Sequence, residues 1–111
     1  MSAPTLLLKA EFFKTLGHPV RIRVLELLGQ REYAVSELLP EVGVLASNLS
    51  RQLTVLRMAG LVMTRRKGSA AFCSLTNPRT AELLAVLNAL LSEQRDSLGD
   101  LQAQMSRRGV N

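Results

Sequence analysis

The chain has no tryptophan, and its aromatic residues, Phe12, Phe13, Tyr33 and Phe72, make up only 4% of its 111 positions. Proteins that grip single-stranded nucleic acid stack bases on aromatic platforms, so the sequence is poorly furnished for that task. There is one cysteine, Cys73, and one histidine, His18. A lone cysteine excludes an intramolecular disulfide and fits a reducing cytoplasm. A tetrahedral zinc site needs three or four nitrogen or sulfur ligands, which these two residues cannot supply, so neither a metal nor another cofactor is expected. No GxGxxG or GxxxxGKS loop is present, nor the material of a nucleophile–base pair, and an enzyme is not expected. No window of about eighteen residues is apolar enough to cross a bilayer. The start, Met1 to Leu8, lacks the basic opening and long apolar run of a secretory signal.

One further absence is positional. Residues 42 to 81 contain no aspartate or glutamate, yet they carry Arg51, Arg57, Arg65, Arg66, Lys67 and Arg79. The remaining residues carry eight basic side chains against nine acids, so the whole excess behind the net charge of +5 lies in this block. A soluble surface normally mixes signs, whereas a block of one sign makes a field that attracts a polyanion.

What is present is helical periodicity around a short hairpin. Leu6, Leu7, Phe12, Phe13 and Leu16 predict a first helix over about 5–16, ended by Gly17. Pro19 opens the second at its first position, with Val20, Val24, Leu27 and Leu28 as the buried stripe and Gly29 ending it near Arg31. Ser36 is the expected N-cap of a short third helix, SELL, cut off by Pro40 and Gly43. Leu49, Leu53 and Leu56 give a fourth helix its inner stripe, from about Leu45–Ser47 to Ala59. Ser47, Arg51 and Thr54 fall on the opposite side, with Asn48 and Gln52 along one flank. LVMTRRKGSAAFCSL then reads as a β-hairpin turning at Lys67-Gly68-Ser69, with Ala71, Cys73 and Leu75 on one face. Asn77 caps and Pro78 opens a last helix over about 78–105. Its Leu84, Leu87, Leu91, Gln94, Leu98, Leu101 and Met105 follow coiled-coil spacing, although Gly99 weakens it. Residues 106–111 are expected to be loose, and the chain as a whole, 1–111, to be one domain.

A short helix, a tight turn, a helix with a polar outer face and a basic hairpin together predict a winged helix-turn-helix, mainly α with five helices. Such a helix fits the major groove of duplex DNA, where amide, hydroxyl and guanidinium groups pair with base edges. Carboxylates in this block would repel the phosphates. LGHPVRIRVLELL, SNLSRQLTVLRMAGLV and RRKGSAAFCSL, over roughly residues 9 to 91, resemble the ArsR/SmtB family of bacterial transcriptional repressors. The resemblance implies a homodimer paired through the first and last helices, with Leu7, Phe12, Leu84, Leu87, Leu91 and Leu98 at the interface. It also implies an operator with two half-sites. Ser50, Arg51 and Gln52 match positions where the family has a serine, a variable polar residue and usually a histidine, so Gln52 departs from the pattern. Ser69 replaces a frequent wing arginine. The cysteines or histidines of the family's metal sensors are missing from AVSELLPEVG and from Thr80 to Gln104. The expected division of labour gives Ser47, Asn48, Ser50, Arg51, Gln52 and Thr54 to the bases. Arg57, Arg65, Arg66 and Lys67 go to the phosphates. Two alternatives stay open: a basic winged-helix module binding RNA or nucleic acid without sequence preference, and a thiol-responsive regulator using Cys73.

Overall fold

The structure, a computed structural model, describes residues 2–107. Its elements run α1 (Ala3–Leu16), α2 (Pro19–Gln30), β1 (Tyr33–Ala34), α3 (Val35–Val42), α4 (Ala46–Met58), β2 (Val62–Lys67), β3 (Ala70–Leu75) and α5 (Arg79–Arg107). The five helices and the hairpin are those the periodicity predicts. Compact packing is not uniform along the chain, however: it divides between Ala81 and Glu82, inside α5.

In the first unit, local signals set most helix ends. Ser2 caps α1, its hydroxyl accepting from the Thr5 amide at 3.4 Å, so the helix starts two residues before the expected position. His18 caps α2: its Nδ1 accepts from the Val20 amide at 3.2 Å, which stops the chain between Gly17 and Pro19 from fraying. Gly29 lies just inside α2, which runs to Gln30 with Arg31 as its C-cap, where the end is expected. Its role is spatial, because a Cβ there would lie 3.1 Å from the Ala81 Cβ.

The third helix also begins differently from the expectation. Ser36 lies inside it, and the cap position is Ala34. A methyl group cannot accept a hydrogen bond, so Glu37 reaches back instead, its Oε1 accepting from the Ala34 amide at 2.8 Å. Pro40 does not cut α3 off: the helix runs past it to Val42, and Gly43, at φ 75°, adopts the left-handed conformation that ends it.

The sheet has three strands in the order β1-β3-β2, all antiparallel. Lys67 pairs with Ala70, leaving Gly68 and Ser69 as a two-residue turn. Gly68 has φ 64° and no non-glycine residue is positive among those described, the pattern of a type II′ hairpin. β1 is absent from the expectations. Val24, Leu25, Leu38, Leu49, Leu56 and Cys73 are fully buried and make the core on which α4 and the hairpin rest.

The second unit is the remainder of α5. Asn77 Oδ1 accepts from the Arg79 amide at 2.9 Å, the expected cap, although the helix begins at Arg79 rather than at Pro78. Gly99 does not interrupt it. Ser106 and Arg107 continue the helix, and the rest of the segment expected to be loose, 108–111, lies outside the described residues.

Candidate nucleic-acid interface

Leu49, Leu53 and Leu56 anchor α4, and Gly60, at φ 77°, releases the chain into the hairpin. With that stripe inward, Ser47, Ser50, Arg51, Thr54 and Arg57 are exposed, as the periodicity predicts. They are not equally available for ligands. The Thr54 hydroxyl donates to the Ser50 carbonyl at 3.0 Å and accepts from Arg57 Nη2 at 3.2 Å, so its proton is already committed. Arg51 forms no hydrogen bond or ion pair among the described residues, and its guanidinium fork projects unpartnered.

Gln52 requires a correction. The flank assigned to it is not open: the side chain is only 6% exposed. Its Oε1 accepts from Arg21 Nε at 2.9 Å and its Nε2 donates to Asn48 Oδ1 at 3.0 Å. A buried amide must find partners for both ends, and here both are protein groups. Asn48 keeps a half-exposed place at the rim of the helix.

The hairpin separates two arginines that look alike in sequence. Adjacent residues of a strand face opposite ways. Arg66 and Thr64 turn toward α4, where they line a cleft of about 620 Å³ together with Ser50, Leu53, Arg57 and Ser69. Arg65 turns to the other face, over the Phe72 ring at 4.9 Å, and is gripped by Glu32. Arg65 Nη2 donates to Glu32 Oε1 at 2.6 Å and Nε to Oε2 at 3.0 Å. The fork-on-fork pair ties β2 to the approach to β1 and neutralises one of the charges assigned to phosphates. Lys67 is exposed at the tip.

The Arg65 hydrogen bonds hold the Glu32 carboxyl below its ordinary value of 4.5. Because the folded-state value is depressed, the pair stabilises the fold above that ordinary range and loses its contribution as pH falls through the lowered value. Glu32→Gln should therefore melt below the wild type near neutrality, and the two melting curves should converge as the pH falls through the lowered value. A constant gap across that range would show that the pair's charge is irrelevant.

Cys73 lies on the inward face of β3 and is wholly buried. Burial pushes its thiol above the ordinary value, which disfavours the nucleophilic thiolate. Thiol reagents should label the native protein only as fast as it opens, and labelling at the rate of a free thiol would contradict this placement. Among the described residues, no three His, Cys, Asp or Glu side chains converge as a metal site would require, and no helix is long and apolar enough to span a membrane.

The polar ridge of α4, the cleft beside it and the cationic tip form one surface on a winged helix-turn-helix. Residues 18–64, which contain the second, third and fourth helices, match the model for bacterial regulatory proteins of the arsR family. The HTH-type transcriptional regulator Rv0081 of Mycobacterium tuberculosis is 54% identical over 107 residues, covering 92% of this chain and 94% of that protein. The chain belongs to the ArsR family. Its fold agrees: the crystal structure of Rv0081 superposes with a TM-score of 0.80 over 86% of this chain and 97% of that one. The biofilm growth-associated repressor of Xylella fastidiosa is 39% identical over 85 residues, 77% of this chain and 75% of that protein. The solution structure of the homodimeric winged helix-turn-helix domain of Mb0332 from Mycobacterium bovis is 28% identical. It has a TM-score of 0.77 over 86% of this chain and 88% of that one. As an ArsR-family winged helix-turn-helix, the chain is a DNA-binding transcriptional regulator.

Proposed function

We propose that this regulator is a homodimeric repressor that acts in the cytoplasm on a near-palindromic duplex operator. The observation that carries the reading is an unpartnered Arg51 on the exposed ridge of α4, the helix that also walls, through Ser50 and Arg57, a cleft shared with Arg66. A helix of this width fills the major groove, and the flanking cations then meet the backbone on either side. Ser47, Asn48, Ser50 and Arg51 read or position bases; Arg57, Arg66 and Lys67 hold phosphates. Thr54 offers its methyl group and positions Arg57. Arg65 holds the wing in place through Glu32, and Gln52 supports the ridge from beneath. The repressor named in Xylella and the homodimer described for Mb0332 support the remaining two parts of the reading.

Dimerisation accounts for apolar surface that a single chain leaves in water. Leu7 and Phe13 of α1 are exposed, and Phe12 is half-buried. On α5, Leu91 and Leu98 are exposed and Leu87 half-buried. Leu84, also assigned to the seam, is only 4% exposed and adds little apolar surface to it.

Sequence selection from random duplex DNA tests the reading. The recovered sites are expected to contain two related half-sites about 34 Å apart, one helical turn, as two copies of α4 on a twofold axis demand. Recovery of single half-sites, or of no common sequence, would overturn it.

A further inference from the structure

Four residues on three helices are linked by hydrogen bonds that run in one direction only. Arg21, on α2, donates through Nη1 to the Thr15 carbonyl at 3.0 Å, near the end of α1. It also donates through Nε to Gln52 Oε1 at 2.9 Å. Gln52 Nε2 donates in turn to Asn48 Oδ1 at 3.0 Å, one helical turn back along α4. The polarity of this chain follows from its first member. A guanidinium has five N–H donors, no acceptor, and does not lose its proton. Whatever faces it must accept, so the Gln52 oxygen points to Arg21 and its NH2 group points to Asn48. That NH2 can only donate, so the Asn48 oxygen turns inward. The Asn48 Nδ2 is left on the half-exposed rim of α4, with no acceptor among the described residues.

We propose that Arg21 and Gln52 are positioning residues that fix Asn48 as a hydrogen-bond donor, and that Asn48 thereby selects a base presenting a keto oxygen, guanine O6 or thymine O4, in the major groove. The proposal rests on α4 being the groove-reading helix. An asparagine free to turn pairs with adenine through both its oxygen and its nitrogen. Here the oxygen already serves Gln52, so the two outward N–H groups favour acceptors: guanine presents two, O6 and N7, and thymine presents O4, whereas adenine sets its N6 donor beside N7 and cytosine presents only the N4 donor. Orientation is supplied from the core, through a side chain that does not itself touch the DNA.

Gln52→Glu tests the polarity, because it reverses one link. A carboxylate still accepts from Arg21, now as an ion pair, but its second oxygen can only accept from Asn48. The Asn48 amide must turn over, and its oxygen faces outward. In selections from random duplexes, the wild type is expected to prefer a keto base at one position of each half-site by about tenfold. Gln52→Glu should shift that position, and no other, to an amino base, adenine or cytosine. Asn48→Ala should lose the preference there while keeping the rest of the site. Gln52→Leu, which leaves Asn48 free to turn, should relax the same position. Melting curves and dimer mass establish that each variant is folded, and a merely structural role for Gln52 would not move one base preference. The proposal is overturned if the position keeps its keto preference in Gln52→Glu, or if Asn48→Ala selects the wild-type site unchanged. In both cases the wild type still selects a site, so the DNA-reading function stands. A wild type that selects no common sequence would overturn that function first and this proposal with it.

Discussion

Replacing Leu91 and Leu98 together by glutamate is expected to give a folded monomer whose operator affinity is lower by a factor of about a hundred to ten thousand. Both leucines are exposed in the single chain, at 43% and 59%, so the substitutions remove nothing from its core. They lie on an α5 that also exposes Leu83, Val86, Leu90, Leu101 and Met105, more contiguous apolar surface than a solitary soluble chain normally leaves in water. Four carboxylates brought into one dimer seam would have to be desolvated together, against which the lost apolar burial offers nothing. The affinity loss follows from geometry and not from the DNA-reading side chains, which stay intact. Once one half-site is bound, a dimer presents its second reading helix at high effective concentration, whereas a monomer must bind the second half-site from solution. Sedimentation at micromolar concentration reports the mass. Titration against one and two half-sites reports the avidity, and the salt slope on the full operator should fall to about half. If the double variant remains a dimer, the seam lies elsewhere, and the exposed Leu7 and Phe13 of α1 become the residues to change.

The parts of this molecule that are legible in its sequence are those in which one local rule decides the outcome. Leucines at spacings of four and three place the inner face of α4 correctly, and Leu49, Leu53 and Leu56 are all buried. Gly43, Gly60 and Gly68 mark the ends of α3, of α4 and of β2 because all three occupy positive φ, where other side chains strain. What the sequence conceals depends on partners distant along the chain. β1 is two residues long, too short for any alternation, and exists because β3 offers it an edge. The acid-free block is acid-free only in one dimension, since folding carries Glu32 onto Arg65 across 33 positions.

Gln52 departs from its expected place for another reason. It lies roughly 60° around the helix from Leu49, inside the apolar arc, but its polarity suggests an outward side chain. Only the Arg21 guanidinium, supplied by another helix, makes an inward amide tolerable. The two wing arginines are separable in principle, because strand alternation alone puts neighbours on opposite faces. Which face meets α4 is decided by the fold, where Ala71 and Cys73 pair with Arg66 and Thr64 on the inner side.

Arginines so separated should respond differently to removal. Arg51→Ala is expected to cost about 1–3 kcal/mol on the operator and little on unrelated duplexes, because a bidentate fork on a base edge is worth that much only where the right base is present. Arg66→Ala should weaken operator and random duplex alike and reduce the slope of log affinity against log salt by about 0.9 for each phosphate no longer neutralised. Arg65→Ala serves as the internal control: its guanidinium is spent on Glu32, so the salt slope should hardly change while the wing loosens and the melting temperature drops. Three arginines in one basic block thus have three distinct signatures: specificity, salt dependence and stability. Charge counting alone would assign all three the same one. If Arg51→Ala and Arg66→Ala depress binding equally on every duplex, then α4 is not the helix in the groove. If Arg65→Ala lowers the slope as much as Arg66→Ala does, Glu32 gives up its partner to the phosphates when DNA arrives, and the wing is held by the backbone it touches and not by its own ion pair.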